Sequence, residues 1–160
     1  MRFLARVRAQ VLGLVLAAVA GPAMAEACRA DLLELRGDFG TGRFTVEVVD
    51  TPESRAQGLM FRESMASGAG MLFVYEKPQS VAFWMKNTLI PLDMIFAAAD
   101  GTVRHVHSNA VPGDLTAIPG GKDIQFVLEI NGGLAKAIGI APGAELRHPS
   151  IPAQTAAWPC

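Results

Sequence analysis

Turn-forming residues interrupt this chain about every eight to twelve positions, and the segments between them are short and alternate apolar with polar residues. That spacing leaves no room for a long helix and favours short strands joined by turns. From Arg43 to Asp50, Phe44, Val46 and Val48 alternate with Arg43, Thr45 and Glu47, the pattern of a half-buried strand. Thr51-Pro52-Glu53 reads as a helix start, with Thr51 as cap and Pro52 where its missing N–H has no partner to lose; Gly58 stops the helix. Gly70–Glu76 and Ser80–Lys86 are two further extended runs split by Lys77-Pro78. Leu92–Ala99 is joined to Thr102–Asn109 by Asp100-Gly101, the signature of a type I′ hairpin turn. Val111–Lys122, with its prolines and glycines, predicts a long surface loop. Ile124–Ile130 reads as a buried strand, Leu134–Ile138 as a short helix stopped by Gly139, Ala144–Arg147 as a last strand, and residues 149–160 as an irregular tail. The expected fold is mainly β, an antiparallel β-sandwich or jelly-roll-like barrel with one or two short capping helices.

Residues 1–25 stand apart from that pattern. Arg2, Arg6 and Arg8 precede an apolar run from Val11 to Ala20, and Ala23-Met24-Ala25 forms a small-x-small cleavage site, the layout of a secretory signal peptide. The run is well short of the roughly 20 residues that span a bilayer, so no stable membrane anchor is expected after cleavage. The mature chain, from Glu26, is expected to be periplasmic or secreted, with a domain over residues 26–148. It keeps 11 basic against 15 acidic residues, a formal charge of −4 that disfavours nucleic acid and anionic lipid. The full chain, with 51% hydrophobic and 18% charged residues, is too apolar to be intrinsically disordered. In an oxidising compartment two cysteines most often pair, and a Cys28–Cys160 bond would tie the two ends of the domain together. The alternatives are two free thiols or a bridge between chains.

Four segments carry a family resemblance: Asp50-Thr51-Pro52-Glu53-Ser54-Arg55-Ala56-Gln57-Gly58-Leu59-Met60-Phe61-Arg62, Gly70-Met71-Leu72-Phe73, Phe83-Trp84-Met85-Lys86-Asn87-Thr88-Leu89-Ile90-Pro91-Leu92-Asp93, and Val127-Leu128-Glu129-Ile130-Asn131-Gly132-Gly133. In that order they resemble the DUF192 (UPF0127) family across about residues 43–148. The resemblance implies a β-rich, jelly-roll-like and often exported domain, and it supplies no catalytic residues. His105 and His107 depart from the family pattern.

The densest chemistry lies between Phe83 and Asp93. Trp84 and Lys86 would share one face of a strand, with Asn87 and Asp93 following, a platform for a small polar ligand or glycan. The plain structural alternative makes Trp84 core, Asn87 a turn residue and Lys86–Asp93 an ion pair. Arg55, Arg62 and Glu129 are the other polar residues set in apolar motifs; either arginine suits an anionic ligand or clamps a loop to the sheet, and Arg55 could pair with Glu129. His105 and His107, on one face of a strand in a methionine-rich chain, raise a copper(I) site as an alternative, although the methionines also read as core. Asp93 with Glu129 could form the carboxylate pair of a sugar hydrolase. No nucleophile elbow, P-loop or dinucleotide fingerprint is present. The favoured reading is an exported binding module for a small polar ligand, a glycan or an envelope protein, with no cofactor implied.

Overall fold

The computed structural model describes residues 28–160; the segment read as a signal peptide, residues 1–25, lies outside the described residues. The elements run β1 (Leu32–Gly37), β2 (Gly40–Val49), α1 (Pro52–Gln57), β3 (Ala69–Phe83), β4 (Leu92–Ala97), β5 (Val103–Ala110), β6 (Ile118–Asn131), α2 (Leu134–Ile138) and β7 (Glu145–Arg147). The strands form one seven-stranded sheet in the order β5-β4-β6-β3-β2-β1-β7. Its two edges meet at one end, where Thr102 bridges Glu145 and Val103 donates to the Ala144 carbonyl at 2.7 Å, so the sheet curls into a half-barrel. The mainly β expectation holds, but the sheet is mixed because β2 and β3 run parallel. A parallel pair cannot be closed by a hairpin and needs a crossover of about a dozen or more residues. Residues 50–68 supply that crossover and carry α1.

Alternation along the central strands builds two cores, one on each face. Leu72, Ile95, Phe126, Leu128 and Ile130 point to the first, with Leu33, Leu35 and Phe44. Met71, Phe73, Met94, Phe96 and Val127 point to the second, with Leu59 and Met85. β4 is therefore buried along its whole length. Near-continuous apolar sequence is what a strand covered on both faces requires.

Several local expectations are met in detail. Thr51 caps α1 through a reciprocal pair of hydrogen bonds with Ser54, and Gly139 ends α2 at φ 94°. Others are corrected. β1, unmarked in the sequence reading, pairs with both β2 and β7. Gly70–Glu76 and Ser80–Lys86 are one strand: Lys77-Pro78 falls in an exposed stretch where the β3–β6 register slips between Val74 and Gln79, so the proline breaks no ladder bond there. The Asp100-Gly101 hairpin exists, but only Gly101 has positive φ. Its N–H bonds the Ala98 carbonyl while Ala98 N–H bonds Thr102, giving a three-residue loop with a glycine bulge instead of a type I′ turn. The predicted loop at Val111–Lys122 becomes strand from Ile118 onward. One of its glycines serves close approach: a Cβ on Gly120 would stand 2.2 Å from the Phe96 ring.

Cys28 and Cys160 are bonded, with Cα atoms 5.5 Å apart and a sequence separation of 132. The bond holds an irregular tail whose Trp158 ring lies beneath the guanidinium groups of Arg36 and Arg147. Replacing both cysteines by serine is expected to lower stability by about 2–4 kcal/mol while leaving the sheet intact. Urea denaturation followed by circular dichroism checks this; an unchanged midpoint would show that the tail's other contacts suffice.

Candidate functional site

The crossover that a parallel β2–β3 pair requires lays α1 beside the second core, and between helix and sheet lies a cleft of about 280 Å³. α1 and the turn after it form one wall through Arg55, Gly58, Leu59 and Met60; Phe73, Tyr75, Phe83 and Trp84 form the other, and Glu129 also lines it. All four segments that carry the family resemblance border this cleft. Gly58, at φ 49°, brings the end of α1 against the Phe73 ring, where an added Cβ would stand 3.2 Å from the ring edge. Phe83 packs edge-on to Phe73 and Phe96, with ring centroids 5.1 and 5.8 Å apart.

Glu129 is the unusual group. Strand alternation turns it toward the second core, opposite Met71 on β3 and Met94 on β4, and only 4% of it is exposed. No hydrogen bond or ion pair engages its carboxyl among the described residues. Burial pushes its pKa from an ordinary 4.5 up to about 8, so the side chain is a neutral carboxylic acid at pH 7. The neighbouring Tyr75 phenol is also raised, first by burial, with Arg55 opposing and Glu129 adding to the shift.

Arg55 does not pair with Glu129. Its guanidinium donates to the backbone carbonyls of Asp50 and Val74, the latter at 2.9 Å, and lies 4.9 Å from the Tyr75 ring centroid. It clamps α1 to the strands, as the structural alternative held. Arg62 makes a bidentate surface pair with Glu47 at 2.6 and 2.8 Å.

The platform drawn around Trp84 separates into parts. Trp84, just beyond the end of β3 and half exposed, borders the cleft, and the Lys86 ammonium lies 5.2 Å from its ring centroid. Asn87, at φ 56°, shapes the turn; its side-chain amide approaches the Met60 sulfur at 3.8 Å and its carbonyl accepts from Phe61 N–H. Asp93 is elsewhere. It is wholly buried, and its carboxylate accepts from the backbone N–H groups of Asn109, Gly133 and Ala135 at 2.6, 2.9 and 2.7 Å. Gly133 at the start of α2 has no side chain to cap the helix, so Asp93 supplies the missing acceptor from β4. No Lys86–Asp93 ion pair forms. Asp93 and Glu129 also point to opposite faces of the sheet, so the carboxylate pair needed for sugar hydrolysis is not assembled.

His105 and His107 share a face of β5 opposite Phe96 and Met94, and His105 stacks on Phe96 at 5.7 Å. Among the described residues no group of three or more His, Cys, Asp or Glu side chains converges. Tyr75, which was not read from the sequence as a ligand-binding residue, and Met60, read there only among the thioethers of a copper(I) site, complete the cleft. For Tyr75 the available signal was its period-2 alignment with Met71 and Phe73.

No curated protein matches the chain. Among solved structures it is similar to a protein of unknown function from Novosphingobium aromaticivorans DSM 12444, with 42% identity over 72% of this chain and 82% of that one and a TM-score of 0.71. It is equally similar to a Sinorhizobium meliloti 1021 protein provisionally named a transcription regulator, at 42% identity over 75% of this chain and 94% of that one, TM-score 0.71. The DUF192 model, described as "Uncharacterized ACR", matches residues 35–148, which takes in every strand from β2 to β7 and both helices. By that match, with all four motif segments around one cleft, the chain belongs to the DUF192 family.

Proposed function

We propose that the protein is an exported binding module that holds a small polar ligand in the cleft beneath α1. The observation that carries this reading is the Glu129 carboxyl, nearly buried and opening onto the cleft with no partner from the described residues. With no protein partner, that carboxyl can be satisfied only from the cleft, and a ligand that hydrogen-bonds it there supplies a fixed partner in place of water. Flat aromatic walls and a half-exposed indole at the rim suit a small organic molecule over a macromolecule. The acidic mature chain argues against nucleic acid, and so against a regulator's role like the one named for the Sinorhizobium protein. The Cys28–Cys160 bond, together with the layout of residues 1–25, supports work in an oxidising compartment outside the cytoplasm.

The test reads Trp84 fluorescence in a Trp158→Phe background against a library of amines, amino acids, organic acids and short glycans. A saturable change is expected for at least one class, abolished by Ala56→Phe, which fills the cleft from the exposed side of α1 without adding a second indole. Silence across the library at millimolar concentration would remove the binding reading.

A further inference from the structure

We propose that the cleft takes the ammonium group of a small primary monoamine, seated on the Glu129 carboxylate with its apolar stem between the aromatic walls. The inference rests on the cleft being a ligand site, and it names the chemistry the site selects. A nearly buried carboxylate that faces a cleft without a protein partner calls for a cation carrying hydrogen-bond donors. The described residues bring none to it. Arg55 is committed to backbone carbonyls and to the Tyr75 ring, and Lys86 lies over Trp84. The aromatic rings of Tyr75, Phe83 and Trp84 line the same cleft and suit the apolar stem of an organic cation. Arg55 on the α1 wall also limits the ligand to one positive charge, because a second would meet its guanidinium within the same small volume. The class is therefore a monoamine and not a polyamine.

Binding follows a proton exchange. Without ligand, Glu129 is protonated at neutral pH, and the incoming ammonium stabilises the carboxylate, so the carboxyl proton leaves to solvent as the amine enters. The other charged or titratable groups around the cleft are Arg55 from α1, Tyr75 from β3 and Lys86 beside Trp84; β3 and β4 place only Met71 and Met94 opposite Glu129 in register. Uptake should therefore strengthen up to about tenfold per pH unit between pH 6 and 8, then level off, with up to one proton released per amine.

The experiment titrates the oxidised protein with benzylamine, benzyl alcohol and benzoate by calorimetry in buffers of different ionisation enthalpy. Benzylamine is expected to bind at least tenfold more tightly than the other two, to release protons at pH 7, and to lose at least tenfold in affinity in Glu129→Gln. Ala56→Trp, which leaves Glu129 in place, should abolish binding. Tighter binding of the alcohol or benzoate, or undiminished benzylamine affinity in Glu129→Gln, overturns the monoamine inference while leaving the cleft as a ligand site. Failure of all three probes together with silence of the wider library overturns both.

Discussion

Asp93→Ala is expected to destabilise the domain by about 4–6 kcal/mol, because three backbone N–H groups lose their acceptor at once and each buried orphan costs roughly 1–3 kcal/mol. Domains of this size have a total stability of only about 5–15 kcal/mol, so a substantial unfolded fraction is expected at 37 °C. The damage has a defined address. Asn109 lies near the end of β5, Gly133 and Ala135 begin α2, and Gly132, whose own N–H bonds the Pro91 carbonyl, leaves no space for a compensating side chain. Asp93→Asn should fall between alanine and wild type, since its amide oxygen can keep the bonds to Asn109 and Gly133 while its NH2 meets the Ala135 N–H donor to donor. Urea denaturation at pH 7 distinguishes the three proteins; an alanine variant within about 1 kcal/mol of wild type would show that water replaces the carboxylate.

The second large effect appears with pH. Glu129 ionises near 4.5 in the unfolded chain and near 8 in the folded one. Below pH 4.5 both states hold the proton and nothing is lost. Between the two values the folded state holds more protons than the unfolded state, so stability falls as pH rises, and the loss is complete above about 8. At about 1.4 kcal/mol for each pH unit separating the two ionisations, with some discount for the opening into the cleft, wild type should lose about 3–5 kcal/mol from this group between pH 5 and 9. Glu129→Gln cannot titrate and should be the more stable protein at pH 9 by a similar margin. His148 acts in the opposite direction. Burial lowers its pKa, while its ring contacts the Ala30 carbonyl and accepts from Ser150 N–H, so acidification below about 6.5 removes stability in both proteins alike. Denaturation series of the pair from pH 5 to 9 should therefore part progressively from about pH 5 and run parallel again above about pH 8; curves parallel throughout would place the Glu129 carboxyl in contact with solvent.

How much of this was legible in sequence depends on the range of each interaction. The ends of α1 and α2 were readable because caps and stops act within a few residues, as Thr51, Pro52, Gly58 and Gly139 do. Strand β4 was readable because burial on both faces leaves an apolar run interrupted only by Asp93. The joining of β3 across Pro78 and the extension of β6 back to Ile118 were not, since local breakers outweighed a pairing that only the partner strand reveals. Among site residues, Arg55, Trp84 and Glu129 were singled out and do border one cleft. Asp93 was singled out as well and proved architectural, because a carboxylate that caps a helix 40 residues away looks in sequence like one that binds a ligand. The opposition of Asp93 and Glu129 across the sheet follows from register, and register is absent from a linear reading.

The pairing of β1 with β7 has a consequence for the order in which the molecule can be completed. Leu35 meets Leu146, and Arg147 reaches Glu34 across 113 residues of chain. A polypeptide emerging amino end first can form the β1–β2 hairpin at once, yet the outer edge of β1 must wait, unpaired, until the last strand arrives. Sheets closed by such distant partners fold slowly, and an open apolar edge invites other chains in the interval. Truncation before Glu145 would make that waiting state permanent, and the shortened chain should aggregate even with its cleft residues all present.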